Sequence, residues 1–424
     1  FSILCFIVHS RIFVPKIFLS LSITNFRHYF IGHTFSTLGT WIQQVALAWL
    51  VYELTQSATL LGLITFFALA PQLVISPFVG ATIDKLNKRI ALIIVQLLFF
   101  LQAILLILCT YFHLLDSTSI LILSIVLGIL SAIDTPLRQA FISDLVEDKT
   151  YIANALALNA MIFNACRFIG PPIAGLLLVI SSPLVCFIFN AISYLCLLFA
   201  LLRMKNIQVT KAKGSIQQVL KEGYRYVFQH IEYRQMMLAV AILNLTASSY
   251  VAILPIFAKD YLNGNETTLG YLWGAAGIGS LLSSLILANS QNYEKIKQRI
   301  FYNMLLCVIG LSSLALIDFT FFYYFAMFCL GFGISTCNVS TNILIQRQTP
   351  AEFRGRVVSI YTSLRFGFDA LGGLCAGILA TYLGVKQTMF LSALILTVFV
   401  IYKFLYDRFT PYRSSHDKSH EHID

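Results

Sequence analysis

Apolar residues run along this chain in blocks of roughly twenty, each closed by a short polar or charged turn. The blocks fall near 28–53, 58–83, 90–113, 118–141, 153–180 and 183–203, then near 236–260, 268–289, 299–317, 320–345, 355–382 and 387–406. At 1.5 Å per residue, about 20 helical residues cross the ~30 Å hydrocarbon core of a bilayer. The pattern therefore predicts an all-α polytopic membrane protein with twelve transmembrane helices in two six-helix halves. Pro71 and Pro77 sit inside the second block, where neighbouring helices can tolerate the kinks they impose.

The longest polar segment, 204–234, separates the halves at 23–203 and 235–406. Within it Ser215 can cap a helix whose Ile216, Val219, Leu220, Tyr224, Val227, Phe228 and Ile231 form one apolar stripe flanked by Lys221 and Arg225. That composition reads as an amphipathic helix on a membrane surface, and a plain connector is compatible with it. Residues 1–22 are apolar but interrupted by Arg11, Pro15 and Lys16. They read as an interfacial lead rather than a signal peptide. The tail, 407–424, carries His416, His420 and His422 and reads as solvated chain rather than a metal tract. The halves echo each other. Gly170-Pro-Pro-Ile-Ala-Gly175 in span five faces Leu371-Gly-Gly-Leu-Cys-Ala-Gly377 in span eleven, and Pro71 to Arg89 has a degenerate partner near Ala288 to Arg299, where Glu294, Lys295, Lys297 and Arg299 keep the charge but lose the glycine. This is the layout of a parallel internal repeat.

Composition excludes a soluble fold, because 58% of residues are apolar and only 11% charged. The net charge of +10 would suit nucleic acid if it were clustered. Instead Lys259 and Lys386 fall in turns on one side, Arg167 and Arg365 fall inside spans, and the other Lys and Arg lie on the opposite side. That asymmetry puts both termini and the basic turns in the cytoplasm of a cell (inner) membrane, with anionic lipid rather than nucleic acid as counter-charge. The nine cysteines include no Cys-x-x-Cys and read as small core residues, not a disulfide framework. No His-Glu-x-x-His, phosphate loop or nucleophile elbow is present. The expectation is a non-enzyme without cofactor or metal, not powered directly by ATP.

The turn between spans two and three reads Gly80-Ala-Thr-Ile-Asp84-Lys85-Leu-Asn-Lys88-Arg89. Its glycine, its acid four positions on, the adjacent base and the closing basic pair resemble the signature of the major facilitator superfamily. Asn87 stands where that family usually has a glycine. The resemblance implies a central cavity between the halves and alternating access. It makes Gly80, Asp84, Lys85, Lys88 and Arg89 an inner gate, with Arg138 as a partner for Asp84. Arg167-Phe-Ile-Gly170-Pro171-Pro172-Ile-Ala-Gly175 resembles the span-five motif of exporters and antiporters in that superfamily, with Ala174 replacing a glycine. Phe26-Arg27, Gly39–Thr55 and Arg347–Ser359 resemble the branch of enterobactin-type siderophore exporters and macrolide efflux proteins.

Charges inside spans are costly, so each marks a candidate site. Asp134 and Arg138 stand four apart on one helix face, as do Arg365 and Asp369. Either pair can be a structural ion pair. Either carboxylate can instead bind and release a proton, since desolvation favours the neutral form. Asp134 and Asp369, with Arg365, are the candidate proton-coupling residues. Gln43, Gln44, Trp49 and Asn164 are candidates to face substrate in the cavity. The function expected is a monomeric secondary transporter. It would export a small amphipathic molecule, siderophore-like first, against proton entry. The alternatives are multidrug or macrolide efflux, and a transport-inactive receptor or scaffold of the same fold.

Overall fold

The computed structural model describes residues 16–83, 86–146, 149–204, 216–288 and 294–409. A 3₁₀ turn, Lys16–Ser22, leads into α1 (Thr24–Thr55), α2 (Ala58–Thr82), α3 (Lys88–Tyr111), α4 (Ser117–Leu145), α5 (Lys149–Ile180) and α6 (Pro183–Arg203). After α7 (Ile216–Gln229) come α8 (Ile231–Thr246), α9 (Tyr250–Ile256), α10 (Glu266–Ala288), α11 (Glu294–Leu316), α12 (Thr320–Gln348), α13 (Ala351–Leu383) and α14 (Val385–Phe409). Eleven segments are long and apolar enough to cross a membrane, α8 and α9 together forming one of them. The twelfth crossing is α1, 32 residues long. Its His28, His33, Gln43, Gln44 and Glu53 make it less apolar than the others.

The turns are fixed locally. Ser57 caps α2 by accepting from the Leu60 amide at 3.1 Å, and Asp116 and Ser119 form a reciprocal capping box at the start of α4. Asn87, the departure from the family glycine, accepts from the Ile90 amide at 3.2 Å. It therefore supplies an N-cap that glycine lacks a side chain to make.

The predicted seventh span is not continuous. The helix stops at Thr246 and restarts at Tyr250. Across the break Val251 and Ala252 donate to the Ser248 and Ser249 carbonyls, three residues back, and Ser249 Oγ donates to the Thr246 carbonyl at 2.5 Å. Serine hydroxyls that compete for main-chain carbonyls loosen a helix in this way. The segment then ends in a π turn, Phe257–Tyr261, just past Pro255.

The amphipathic helix α7 also differs from its predicted stripe. Val227 is buried against α8 and α13, whereas Tyr224 and Phe228 are exposed. Tyr226 stacks on Phe353 at 4.7 Å, and Glu222 pairs with Arg356 at 2.6 Å. Docking on α13 turned the helix, so its inward face is Gly223, Tyr226 and Val227. The end of the N-terminal lead is likewise part of the fold. Ser20 is fully buried, and its hydroxyl donates to Asn154 Oδ1 at 2.8 Å on α5. The lead up to residue 15, the linker 205–215 with its Ser215 cap, and the tail from 410 lie outside the described residues.

Alternate crossing defines two faces. One carries Lys88, Arg89, Arg203 and Arg354 and is called the basic face here; the far face carries Gln56, Asp116, Asp260 and Gly384. One apolar core joins both halves towards the far face, uniting Ile42, Trp49, Leu61 and Phe187 with Tyr250, Phe257, Trp273 and Met327. Towards the basic face the core divides. Phe26, Tyr29, Phe99, Phe141 and Tyr194 form one cluster within the first half, and Tyr233, Ile345, Val357 and Tyr361 another within the second.

The joint is made by small residues. A Cβ on Gly175 of α5 would sit 2.8 Å from the Glu266 carbonyl and 3.2 Å from Gly270 Cα on α10. A Cβ on Gly377 of α13 would sit 2.8 Å from Gly62 Cα on α2. So span five packs on span eight and span eleven on span two, equivalent helices of the two halves exchanging places. Close backbone approach is what glycine permits between membrane helices. Thr59 and Thr381 share a hydrogen bond of 2.8 Å beside the second contact. Gly377→Val should pry this contact open. With single cysteines at Thr59 and Thr381, cross-linking is expected to fall several-fold in the Gly377→Val background. An unchanged yield would show that the contact does not depend on the missing side chain.

Candidate functional site

Two charged clusters lie inside the membrane region, and they differ in kind. The first is confined to the first half. Arg138 forms an ion pair with Asp134 one helical turn away on α4 and a short hydrogen bond with His33 Nδ1 on α1. Gln96 Nε2 donates to Asp134 Oδ1 at 3.0 Å, and the Thr37 hydroxyl lies 3.3 Å from His33 Nδ1. The Tyr29 ring stacks on His33 at 5.2 Å. Among the described residues every partner comes from the first half, Asn159 of α5 also reaching His33. The sequence reading missed His33. Its signal was a polar stripe, His33, Ser36, Thr37 and Thr40, at helical spacing within an apolar block.

The second cluster sits between the halves. Asp369 on α13 is faced by Arg365 from its own helix, by Ser248 at the break in span seven, and by Arg167 on α5 of the other half. Arg167 also lies beside the Tyr250 hydroxyl. Its guanidinium stands 5.7 Å over the Trp41 ring, and Trp41 meets Trp273 of the second half edge-on at 5.8 Å. Gly170 makes this possible, since a Cβ there would come within 2.7 Å of Trp41 Cβ. The exporter-like motif thus has a local meaning: Gly170 seats Trp41, Pro171 and Gly175 meet α10, and Arg167 reaches the centre. Among the described residues the ion pairs are Lys88–Asp144, Asp134–Arg138, Glu222–Arg356 and Asp318–Lys386. Arg167, Arg365 and Asp369 belong to none of them. Unlike Asp134 and Arg138, the predicted partners Arg365 and Asp369 do not form a close ion pair, and Arg365 instead lies 5.0 Å over Phe366.

At the turn between α2 and α3, Gly80 faces Ser359 of the second half, a Cβ there being 3.3 Å from its hydroxyl. Lys88 pairs with Asp144 at 2.9 Å. Arg89 donates to the carbonyls of Leu201 and Leu202 at 2.9 Å each, closing the end of α6. Asp84 and Lys85 lie outside the described residues. The remaining cavity candidates divide. Gln43 accepts from Asn190 at 2.7 Å and is buried within its own half. Gln44 is exposed and falls one turn after Trp41, and Asn164 falls one turn before Arg167. Trp49 lies nearer the far face, with Lys259 5.9 Å above its ring.

At the far face polar contacts tie helices both between the halves and within the second half. Tyr52 Oη of α1 donates to Asp260 at 2.5 Å. Lys386 and Tyr323 both bind Asp318, holding its carboxyl below the usual carboxylate range.

Residues 17–423 match the family described as transmembrane secretion effector. The chain is 31% identical to the staphyloferrin A transporter of Staphylococcus aureus over 85% of its own length and 91% of the relative's. It is 21% identical to macrolide efflux protein A of Streptococcus pyogenes over 87% of this chain and 93% of that one. An inward-facing, unoccupied bacterial homolog of the human lysosomal transporter Spinster shares the fold, with a TM-score of 0.69 at 15% identity, over 91% of this chain and 97% of that one. With its twelve crossings, its split core and its signature turn, the chain belongs to the transmembrane secretion effector family of major facilitator transporters.

Proposed function

We propose that this transporter exports a small amphipathic molecule, siderophore-like in kind, by alternating access coupled to proton entry. The observation that carries the reading is the unpaired Arg167–Asp369–Arg365 cluster where the halves meet, beside a broken helix. Discontinuous helices near the midplane are where such folds bind substrate and ion. The split core towards the basic face supports a cavity open on that side. The relationship to a staphyloferrin A transporter favours a siderophore. Trp41, Phe163 and Trp273 supply aromatic surface, and they favour macrolide-like compounds as the second reading. Comparing metabolites in the medium of cells with and without the protein tests both. A siderophore missing from the deletion strain's medium is expected; identical media would remove export from consideration.

The basic face is proposed to be cytoplasmic in the cell membrane, from its Lys and Arg excess. On it the exposed Tyr224 and Phe228, with exposed Lys221 and Arg225, suit an anionic lipid surface. Single cysteines at Asn87 and Asn265 should react with an impermeant thiol reagent from opposite sides, Asn265 from outside. Reaction of both from outside would refute the orientation.

A further inference from the structure

We infer that the chamber between the halves is a binding site for carboxylate groups, anchored by Arg167 from one half and Arg365 from the other, so that the exported molecule carries carboxylates. The inference rests on the transport reading above and specifies its substrate class.

Three observations converge. First, charge in the chamber is unbalanced: Arg167 and Arg365 face a single acidic side chain, Asp369, and neither is in an ion pair among the described residues. A charge held inside a membrane protein without a partner costs free energy that a bound counter-charge recovers. Second, donors are idle. Arg167 Nε, Arg365 Nε and Trp273 Nε1 are buried without a hydrogen-bond partner. Buried donors are ordinarily satisfied, so these point to a group that arrives from outside. By contrast Arg138 in the first half has an ion-pair partner in Asp134 and further contacts to His33 and Ser36. Third, the geometry suits a planar anion. A guanidinium presents a fork that binds a carboxylate through two parallel hydrogen bonds. Trp41 beside Arg167 and Phe366 beside Arg365 contact both forks at their faces, while the Tyr250 hydroxyl takes one edge position of Arg167. Because the two arginines come from different halves, a ligand with two or more carboxylates can bridge them and report its presence to both.

The test uses the purified full-length chain in nanodiscs of uncharged lipid. The probes are propane-1,2,3-tricarboxylate and its neutral triamide, which have the same carbon frame. The tricarboxylate should raise the thermal midpoint and bind calorimetrically, and the triamide should do neither. Arg167→Gln and Arg365→Gln should each weaken tricarboxylate binding at least about tenfold. The corresponding Lys variants should fall between, keeping charge but losing the fork. Asp369→Asn should retain binding, since it removes a like charge. Equal binding of triamide and tricarboxylate, no response to the tricarboxylate, or wild-type affinity in both Gln variants would overturn the inference. Wild-type comparison of the two probes needs no variant to fold. The export assay separates the two readings. Export without carboxylate selectivity removes this inference alone, whereas selective binding without export removes only the direction of transport.

Discussion

Arg138→Met is expected to destabilise the folded transporter by about 3–5 kcal/mol, the cost of leaving one member of a buried ion pair unpaired. The side chains of Arg138 and Asp134 are only 12% and 11% exposed. Losing the guanidinium strands the carboxylate with Gln96 as its remaining donor and also takes one of the partners of His33. Asp134→Leu with Arg138→Met should recover most of the loss, because an apolar pair of similar volume pays no desolvation. Thermal unfolding in nanodiscs of the two single variants and the double reads this directly. If Arg138→Met unfolds with the wild type, the pair contributes nothing and its burial is incidental. Among the described residues the partners of Arg138 all belong to the first half, which favours a brace inside that half. The sequence had also allowed a gate role for it with Asp84, which lies outside the described residues.

What the sequence disclosed followed from the length scale of the signal. Blocks of twenty apolar residues closed by charges locate helices without reference to the rest of the chain, so each helix lies within a few residues of its block. The end of α4 shows why boundaries drift. The block stops at residue 141, yet the helix continues to Leu145 because Asp144 is drawn in by Lys88. The break in span seven was hidden, since Ala247-Ser248-Ser249 is too short to interrupt a hydropathy window. The turning of α7 was hidden for another reason. Its apolar stripe specifies that a face is buried, whereas Glu222–Arg356 and Tyr226–Phe353 decide which face. In the chamber, the charged members were visible one at a time because charge inside a span is rare. Their assembly was not visible, since Arg167 and Asp369 are about two hundred residues apart in sequence and come within electrostatic reach only when the two halves join. Gln43 shows the converse, a polar side chain inside a span that serves Asn190 and internal packing.

Asp369→Asn should abolish uphill export under an imposed proton gradient while sparing exchange of substrate down its own gradient. Export against a gradient needs a driving force, and a proton gradient requires a group that gains and loses a proton during the cycle. Asp369 meets the structural conditions. It lies within a span, it is in no ion pair among the described residues, and it faces Arg365, Arg167 and Ser248 where the halves join. A proton there changes the charge that both guanidinia feel, so proton and ligand occupancy are linked through shared partners. The amide in Asp369→Asn fixes the neutral state, keeps the volume and leaves both guanidinia to the ligand, which is why exchange survives. Asp134 differs, since among the described residues its ion pair and its hydrogen bond from Gln96 both lie within one half. Asp134→Asn is therefore expected to lower stability more than coupling. Flux driven by a pH step and exchange at equal pH, measured in vesicles for the two variants separately, give the answer. If Asp369→Asn still concentrates substrate under the pH step, the proton is carried elsewhere. If Asp134→Asn alone loses uphill flux at normal abundance, the coupling site is the buried cluster of His33, Asp134 and Arg138.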